Sequence, residues 1–324
     1  MAQGLAARGH AVRVLALADQ SGPDRIARGE ARGLRVPATI TALARAAAGH
    51  DVILATGLWP EAALAARLAS RPLVARLPGD PAWERAVAAG LNLSLEAFQS
   101  APLPWRWASF RAVRAAAFRA ADRVLVPSPF LATLAQGWGV SPAKIRVVPN
   151  AAPAPAPGGA PDHDLVWAGR CVVQKRLDLM ARAAGAAGAS LLLVGDGPSP
   201  PPPAPHITRM APAVPPPLWR GRIFVQASDY EGHPHALIEA MAAGLPVIAT
   251  DVGGTAGCFT QGVHGLLVPP GDAAALAAAI RELLGNPEAI RTMGAAARQH
   301  AHACFGIERL LDATEALLRE AAAR

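Results

Sequence analysis

The chain has 324 residues, 52% of them hydrophobic but only 5% aromatic, with 30 glycines and 31 prolines that follow no period; this describes a globular protein of about two domains and excludes the disordered and collagen-like classes. The 31 basic and 24 acidic side chains leave a net charge of +7, yet they form no long run and accompany no nucleic-acid-binding signature, so nucleic acid is set aside and anionic small molecules or anionic lipid are the expected partners. Three widely spaced cysteines, Cys171, Cys258 and Cys304, suit neither a disulfide framework nor a zinc site; no apolar run is long enough to span a membrane and no signal peptide is recognisable, so a cytoplasmic protein is expected.

From the start of the chain, Leu5 to His10 read as the end of a helix closed by Gly9. Apolar runs at 12–17, 51–55, 72–75 and 123–126 predict strands, and helices are predicted around 41–48, 60–68 and 107–121. That alternation calls for a parallel sheet covered on both faces. Residues 151–159, AAPAPAPGG, have the composition of a linker. Beyond it the pattern restarts, with strands predicted at 165–168, 191–194, 223–226, 247–250 and 266–268. Helices are predicted at 177–186, 235–243, 273–284, 287–304 and 307–323. Six prolines between 195 and 205 forbid the helix otherwise due there. The expected architecture is α/β: a domain over 1–150, a linker over 151–164 and a second domain over 165–304. Ligands of such sheets sit beyond the carboxyl ends of the strands, so two facing sheets would enclose a cleft.

The most informative stretch is Ser228-Asp-Tyr-Glu231-Gly232-His233-Pro234-His235-Ala-Leu-Ile-Glu239-Ala-Met-Ala-Ala-Gly244-Leu-Pro246. Pro234 suits the first helical position, and Gly244 with Pro246 closes the helix. Glu231 then lies at a strand's carboxyl end and Glu239 about a turn and a half into the helix. Leu237, Ile238, Met241 and Ala242 form its buried stripe, which leaves Glu239 on the flank beside His235. Only two of the basic residues, Lys144 and Lys175, are lysines, which singles out position 175. For isolated side chains, a solvated helix glutamate, a turn glutamate and surface cations would be the ordinary reading.

The segment as a whole resembles the E-x7-E motif of the retaining glycosyltransferases of family 4, and the similarity continues through GLPVIATDVGG. Ala168-Gly169-Arg170 with Lys175-Arg176-Leu177 looks like the G-R-x4-K segment of that family, and Val194-Gly-Asp-Gly-Pro198 like its next signature. Val126-Pro-Ser-Pro-Phe-Leu131, Val147-Val-Pro-Asn150 and Arg76-Leu-Pro-Gly-Asp80-Pro-Ala-Trp-Glu84 are also similar. The resemblance implies the GT-B fold, two Rossmann-like βα domains facing across a cleft, acceptor bound by the first and donor by the second, with the helix at 307–323 returning to the first. Members open with a strand and a glycine-rich loop that are not recognisable ahead of Leu5, so the chain is expected to begin inside the fold.

The implied activity is metal-independent, retaining transfer of a sugar from a nucleotide-diphosphate sugar to an acceptor hydroxyl, in polysaccharide, glycolipid or other envelope glycoconjugate synthesis. No cofactor is expected beyond that donor substrate; the acceptor would be a sugar, a lipid-linked molecule or another small molecule. Arg170 and Lys175 are expected at the diphosphate, Glu231 at the transferred sugar, and Glu239 at the ribose. Gly232, His233 and His235 at the helix N-terminus suit an anion, and Asp80 is a candidate on the acceptor side. The alternatives are a glycosyltransferase-like chain that binds without turnover, and a sugar-nucleotide epimerase of the same fold.

Three further strings have ordinary readings beside functional ones. Asp162-His163-Asp164 could bind a metal but suits a strand-start turn, and His233-x-His235 could ligate a metal but suits a loop. The segment 105–119 mixes aromatics with arginines. Trp105, Arg106, Trp107, Arg111, Arg114 and Arg119 could hold the protein peripherally on the inner face of an anionic membrane; core packing accounts for the aromatics equally well.

Overall fold

The computed structural model describes residues 1–18, 25–27, 32–156 and 158–323. They form two compact units, Met1–Val148 with Leu311–Arg324, and Pro149–Leu310. Of the predicted linker, Pro157 lies outside the described residues.

The first unit contains α1 (Ala2–Ala7), β1 (Ala16–Ala18), β2 (Arg25–Ala27), α2 (Arg32–Ala47), β3 (Ile53–Ala55), α3 (Trp59–Ala69), β4 (Leu73–Arg76), α4 (Pro81–Ala88), α5 (Leu95–Ser100), α6 (Trp105–Ala120), β5 (Arg123–Val126), α7 (Pro129–Gly137) and β6 (Ile145–Val147). Strands β3, β4, β5 and β6 pair in that order, all parallel. Their core is Leu73, Ala75, Phe118, Val124, Val126 and Leu131, with Trp138 tilted against Phe118.

Three differences from the sequence reading stand out here. The strand predicted at 12–17 is displaced: only Ala16–Ala18 enter a ladder, with Arg25–Ala27, and residues 11–15 belong to no described ladder. Helix α2 starts well before position 41 and runs through Pro37. Helices α4, α5 and α7 and strand β6 were not predicted. Asp80 caps α4 and Ser128 caps α7, each followed by a proline at the first helical position, a start signal readable in the sequence.

The second unit holds β7 (His163–Ala168), α8 (Leu177–Ala187), β8 (Leu191–Val194), β9 (Ile207–Met210), β10 (Gly221–Gln226), α9 (His235–Ala243), β11 (Val247–Thr250), β12 (Gly265–Val268), α10 (Ala273–Leu284) and α11 (Pro287–Cys304); α12 (Ile307–Ala322) follows. Its sheet is parallel throughout, in the order β12-β11-β10-β7-β8-β9. The central strands are continuous apolar runs because helices cover both faces, and Leu165, Val166, Leu191, Phe224, Ile248, Met180, Met241 and Ile280 are fully buried. No helix joins β8 to β9, as the proline tract requires. Growth from β7 runs one way through β8 and β9 and the other way through β10, β11 and β12. The order therefore reverses between β7 and β10, where doubly wound sheets bind their ligands.

From Leu311 onward, α12 packs in the first unit. Leu311 lies against Gly4 of α1, Arg8 and His10 both reach Glu315 at 3.1 Å, and Arg123, 2% exposed, donates to Glu320 at 2.6 Å. Hydrogen bonds from His10, Arg319 and Arg8 pull the Glu315 carboxyl down to about 2.

Asp80 organises the other end of this unit. One carboxylate oxygen accepts from the backbone N–H of Ala82 at 3.0 Å and of Trp83 at 3.2 Å. The other accepts from Gln99 at 2.9 Å and from the buried Arg114 guanidinium. Arg114 also lies over the Trp138 ring, whose indole N–H donates to Gln99 at 2.9 Å.

This network narrows the membrane face expected on 105–119. Arg114 is buried in it, Trp107 is buried too, and Arg111 Nη1 is spent on the carbonyls of Phe98, Gln99 and Ala101. Trp105, Arg106 and Arg119 remain exposed. Arg114 and Arg111 turn inward because fixed oxygen acceptors compensate their desolvation.

Asp80→Ala should lower the unfolding free energy in a guanidinium chloride titration by about 3–5 kcal/mol, because it leaves the Arg114 guanidinium buried without its counter-ion. Asp80→Asn, which keeps an oxygen for the two backbone donors, should lose clearly less.

Candidate functional site

The reversal between β7 and β10 is built from backbone before any side chain enters. The loop leaving β7 is tied to β8 by Gly169 N–H to Val194 O at 3.0 Å and by Cys171 N–H to Asp196 O at 2.6 Å. These loops run so close that a Cβ on Gly195, where φ is +147°, would stand 1.9 Å from Gly169 O. Only glycine fits such an approach in that backbone conformation. Arg170 sits between the two tied residues, with its side chain exposed and unbonded among the described residues.

The chain then makes a short 3-10 turn, Val173–Lys175, and enters α8 through Arg176 in the left-handed region, φ +47°. Gln174 O accepts from Asp229 N–H at 2.8 Å, which fastens this turn to the loop after β10. The consequence is a direct contact across the reversal point. Lys175 Nζ donates to Glu231 Oε1 at 2.6 Å, with the lysine a quarter exposed and the glutamate 8% exposed at their side chains. Ser228 Oγ donates to the same oxygen at 2.7 Å, and Ser228 is fully buried.

Glu231 is held by its main chain as well. Its carbonyl accepts from Gly254 N–H at 2.8 Å. A Cβ on Gly253, φ +54°, would stand 2.1 Å from that carbonyl oxygen, so the loop after β11 can close on Glu231 only with glycine there. Burial, and then the Glu231 charge, push the Cys258 thiol up to about 12.

The remaining candidates lie around α9. His233 is buried, edge-on to Phe305 at 5.4 Å, and its carbonyl accepts from Asn150 Nδ2 at 3.0 Å. His235, the first residue of α9, is exposed, and Gly232 is buried beside Glu231. Leu237, Ile238, Met241 and Ala242 form the buried face. Glu239 is partly buried on the flank and lines a recess with Pro153, Pro155, Pro215, Pro216, Leu218 and Trp219. With apolar walls around it, burial raises its carboxyl above the ordinary 4.5.

The structure thus brings Lys175 and Glu231 into contact and puts Arg170 on the same loop as Lys175. Glu239 makes no hydrogen bond to any of them. Asp80, proposed for the acceptor side, is 0% exposed and committed to the α4 cap and Arg114, which is the role of a structural carboxylate. Asp162 pairs with Arg220 at 2.6 Å, and hydrogen bonds from Arg220 and His163 hold it down to about 2. Asp164 accepts from both the N–H and the hydroxyl of Ser190; the two aspartates lock the start of β7. Sequence reading passed over Ser228, Gly253 and Asn150 as site residues. For Ser228 the available signal was a hydroxyl three residues before a candidate carboxylate.

Residues 1–153 match the family model described as Glycosyltransferase Family 4, and residues 162–286 match the one described as Glycosyl transferases group 1. Among curated proteins, the chain is 30% identical over 193 residues to a GDP-mannose-dependent alpha-mannosyltransferase of Mycobacterium tuberculosis, covering 51% of this chain and 48% of that protein. It is 39% identical over 92 residues to a D-inositol 3-phosphate glycosyltransferase of Streptomyces avermitilis, 28% of this chain and 20% of that one. The chain spans less than half the length of either relative. Sucrose-phosphate synthase from Thermosynechococcus elongatus superposes with a TM-score of 0.73 at 23% identity, covering 98% of this chain and 91% of that one. Anabaena HepE in complex with UDP-glucose gives 0.71 at 19% identity, over 86% and 81%.

Two parallel α/β units and these superpositions define the fold as GT-B. The two family models make the first unit similar to Glycosyltransferase Family 4 and the second to Glycosyl transferases group 1.

Burial raises the Glu239 carboxyl in the folded state, so stability falls as pH rises from 4.5 through that raised folded value and the loss is complete above it. Glu239→Gln should therefore raise Tm at pH 8 relative to the parent, with the gain disappearing near pH 4, in calorimetric scans across that range.

Proposed function

We propose that the chain moves a sugar from a nucleotide-diphosphate sugar to an acceptor hydroxyl with retention of configuration, in the synthesis of a polysaccharide, glycolipid or related envelope glycoconjugate. The observation that carries this reading is the Lys175–Glu231 contact across the sheet's reversal point, a cation and a carboxylate joined where a doubly wound sheet takes its ligand. The relatives named for GDP-mannose-dependent transfer and solved with UDP-glucose support a nucleotide sugar as the donor.

In this reading Arg170 and Lys175 neutralise the diphosphate and its developing leaving-group charge, which makes a divalent metal unnecessary. The N–H groups of Gly232, His233 and His235 at the start of α9 add partial positive charge. Glu231 accepts from hydroxyls of the transferred sugar and stabilises its oxocarbenium-like state. Glu239 accepts from the ribose hydroxyls, and the energetic cost of its burial at neutral pH is the kind of strain that binding sites carry.

Calorimetry with UDP and with GDP in EDTA should show binding undiminished by chelation. Glu239→Gln should weaken that binding by about ten- to a hundredfold, the worth of a charge-assisted hydrogen bond. Glu231→Gln should leave binding near the parent value and mainly lower turnover, measured as nucleotide release from UDP-, GDP- and ADP-sugars. A parent that binds nucleotide yet turns over none of these donors, with or without acceptor, would instead make it a binding protein of the same fold.

No helix among the described residues is long and apolar enough to cross a membrane. Peripheral attachment, for a lipid-linked acceptor, would rest on α6 through the 83% exposed Trp105 with Arg106 and Arg119. Co-sedimentation with anionic vesicles should fall with added salt and with Trp105→Ala, and should be absent with zwitterionic vesicles.

A further inference from the structure

Glu231 has two carboxylate oxygens, and the structure treats them differently. Oε1 accepts from Lys175 Nζ at 2.6 Å and from Ser228 Oγ at 2.7 Å, which occupies both of its lone-pair directions. No described group hydrogen-bonds to Oε2. The residue is only 6% exposed, yet Oε2 is not one of the fully buried unpartnered atoms, so it keeps a path to solvent by which a sugar hydroxyl can reach it.

The two donors on Oε1 differ in kind. Lys175 reaches it with a flexible stem whose charge, if the function proposed above is right, is shared with the donor diphosphate. Ser228 has one rotatable side-chain bond and no exposure. Its carbonyl accepts from Thr250 Oγ1 at 2.6 Å, which fastens it to the adjacent strand β11. As Lys175 turns toward phosphate, Ser228 is the donor that stays.

We propose that Ser228 is a positioning residue for Glu231: its hydroxyl holds Oε1 against rotation and leaves Oε2 as the oxygen that meets the transferred sugar. This rests on the assignment of Glu231 to the sugar. Ser228 thereby keeps the carboxylate in one orientation whether or not Lys175 is engaged.

The test is steady-state turnover of UDP-glucose, and of GDP-mannose in parallel, by Ser228→Ala, Ser228→Thr, Glu231→Gln and the Ser228→Ala/Glu231→Gln pair. Ser228→Ala should lower kcat about tenfold with KM for the donor changed by less than about twofold. Ser228→Thr, which keeps a hydroxyl, should recover most of the loss. In the Glu231→Gln background Ser228→Ala should cost less than about a further twofold, since the carboxylate it positions is gone. Equal loss in both backgrounds, or a change confined to KM, would overturn the proposal. Ser228→Cys, similar in size with a weaker donor, supplies the same readouts should the alanine variant fail to fold.

A crystal structure of the ligand-free Ser228→Ala variant separates this inference from the function beneath it. A Glu231 carboxylate turned away from its parent orientation upholds the positioning role even where neither sugar nucleotide is turned over, a result that would count against the proposed function alone. A carboxylate that keeps its orientation overturns the positioning role.

Discussion

The second unit depends on one contact made across a gap. Where a doubly wound sheet reverses its order, the loops after the two central strands leave on opposite faces and a crevice opens between them. Lys175 on one loop and Glu231 on the other meet across it at 2.6 Å. The buried Glu231 carboxylate is compensated by the quarter-exposed lysine, and Ser228 adds a fixed donor. Removing either partner leaves the other uncompensated, so the same contact serves folding of the crevice and the chemistry proposed for it.

That contact is available only because the surrounding loops touch backbone to backbone. Gly195 against Gly169 and Gly253 against Glu231 leave no room for a Cβ. The first unit solves a comparable problem with side chains. Asp80, Gln99, Arg114 and Trp138 close a buried network in which one carboxylate serves a helix cap and a guanidinium at once. A carboxylate shared between several donors is thus found in both units, at Asp80 as architecture and at Glu231 with one oxygen left to spare.

How legible all this was depended on which physical signal each element carries. Strands β8 and β11 and helices α9, α10 and α11 coincide with their predicted bounds, because fully buried strands are unbroken apolar runs, these helices begin after proline, aspartate or asparagine, and α9 and α10 end at glycine. Helices α4, α5 and α7 are short and their apolar spacing is weak, so their cap residues were the usable signal and were passed over. Arg114 looked like a surface cation because the partner that buries it, Asp80, is far away in sequence. The pairing of Lys175 with Glu231 depends on strand order, and the choice of Oε1 over Oε2 depends on a rotamer; neither is written in residue spacing. The resemblance pointed to residues that stand at the reversal point, and the fold supplied their geometry.

The proline segments on either side of β9 have a consequence for the life of the protein outside its function. β9 is the terminal strand of its sheet, four residues long, with Thr208 and Arg209 exposed. A terminal strand offers unpaired amide and carbonyl groups to any passing chain, the usual starting point of edge-to-edge aggregation. Here the strand is preceded by Pro200, Pro201, Pro202, Pro203 and Pro205 and followed by Pro212 and Pro215 to Pro217, none of which has an N–H to extend the ladder. An incoming strand would find a short, charged edge that cannot be lengthened in either direction. The helix lost to proline between β8 and β9 is thereby replaced by protection of a different kind, against self-association of the sheet it no longer covers.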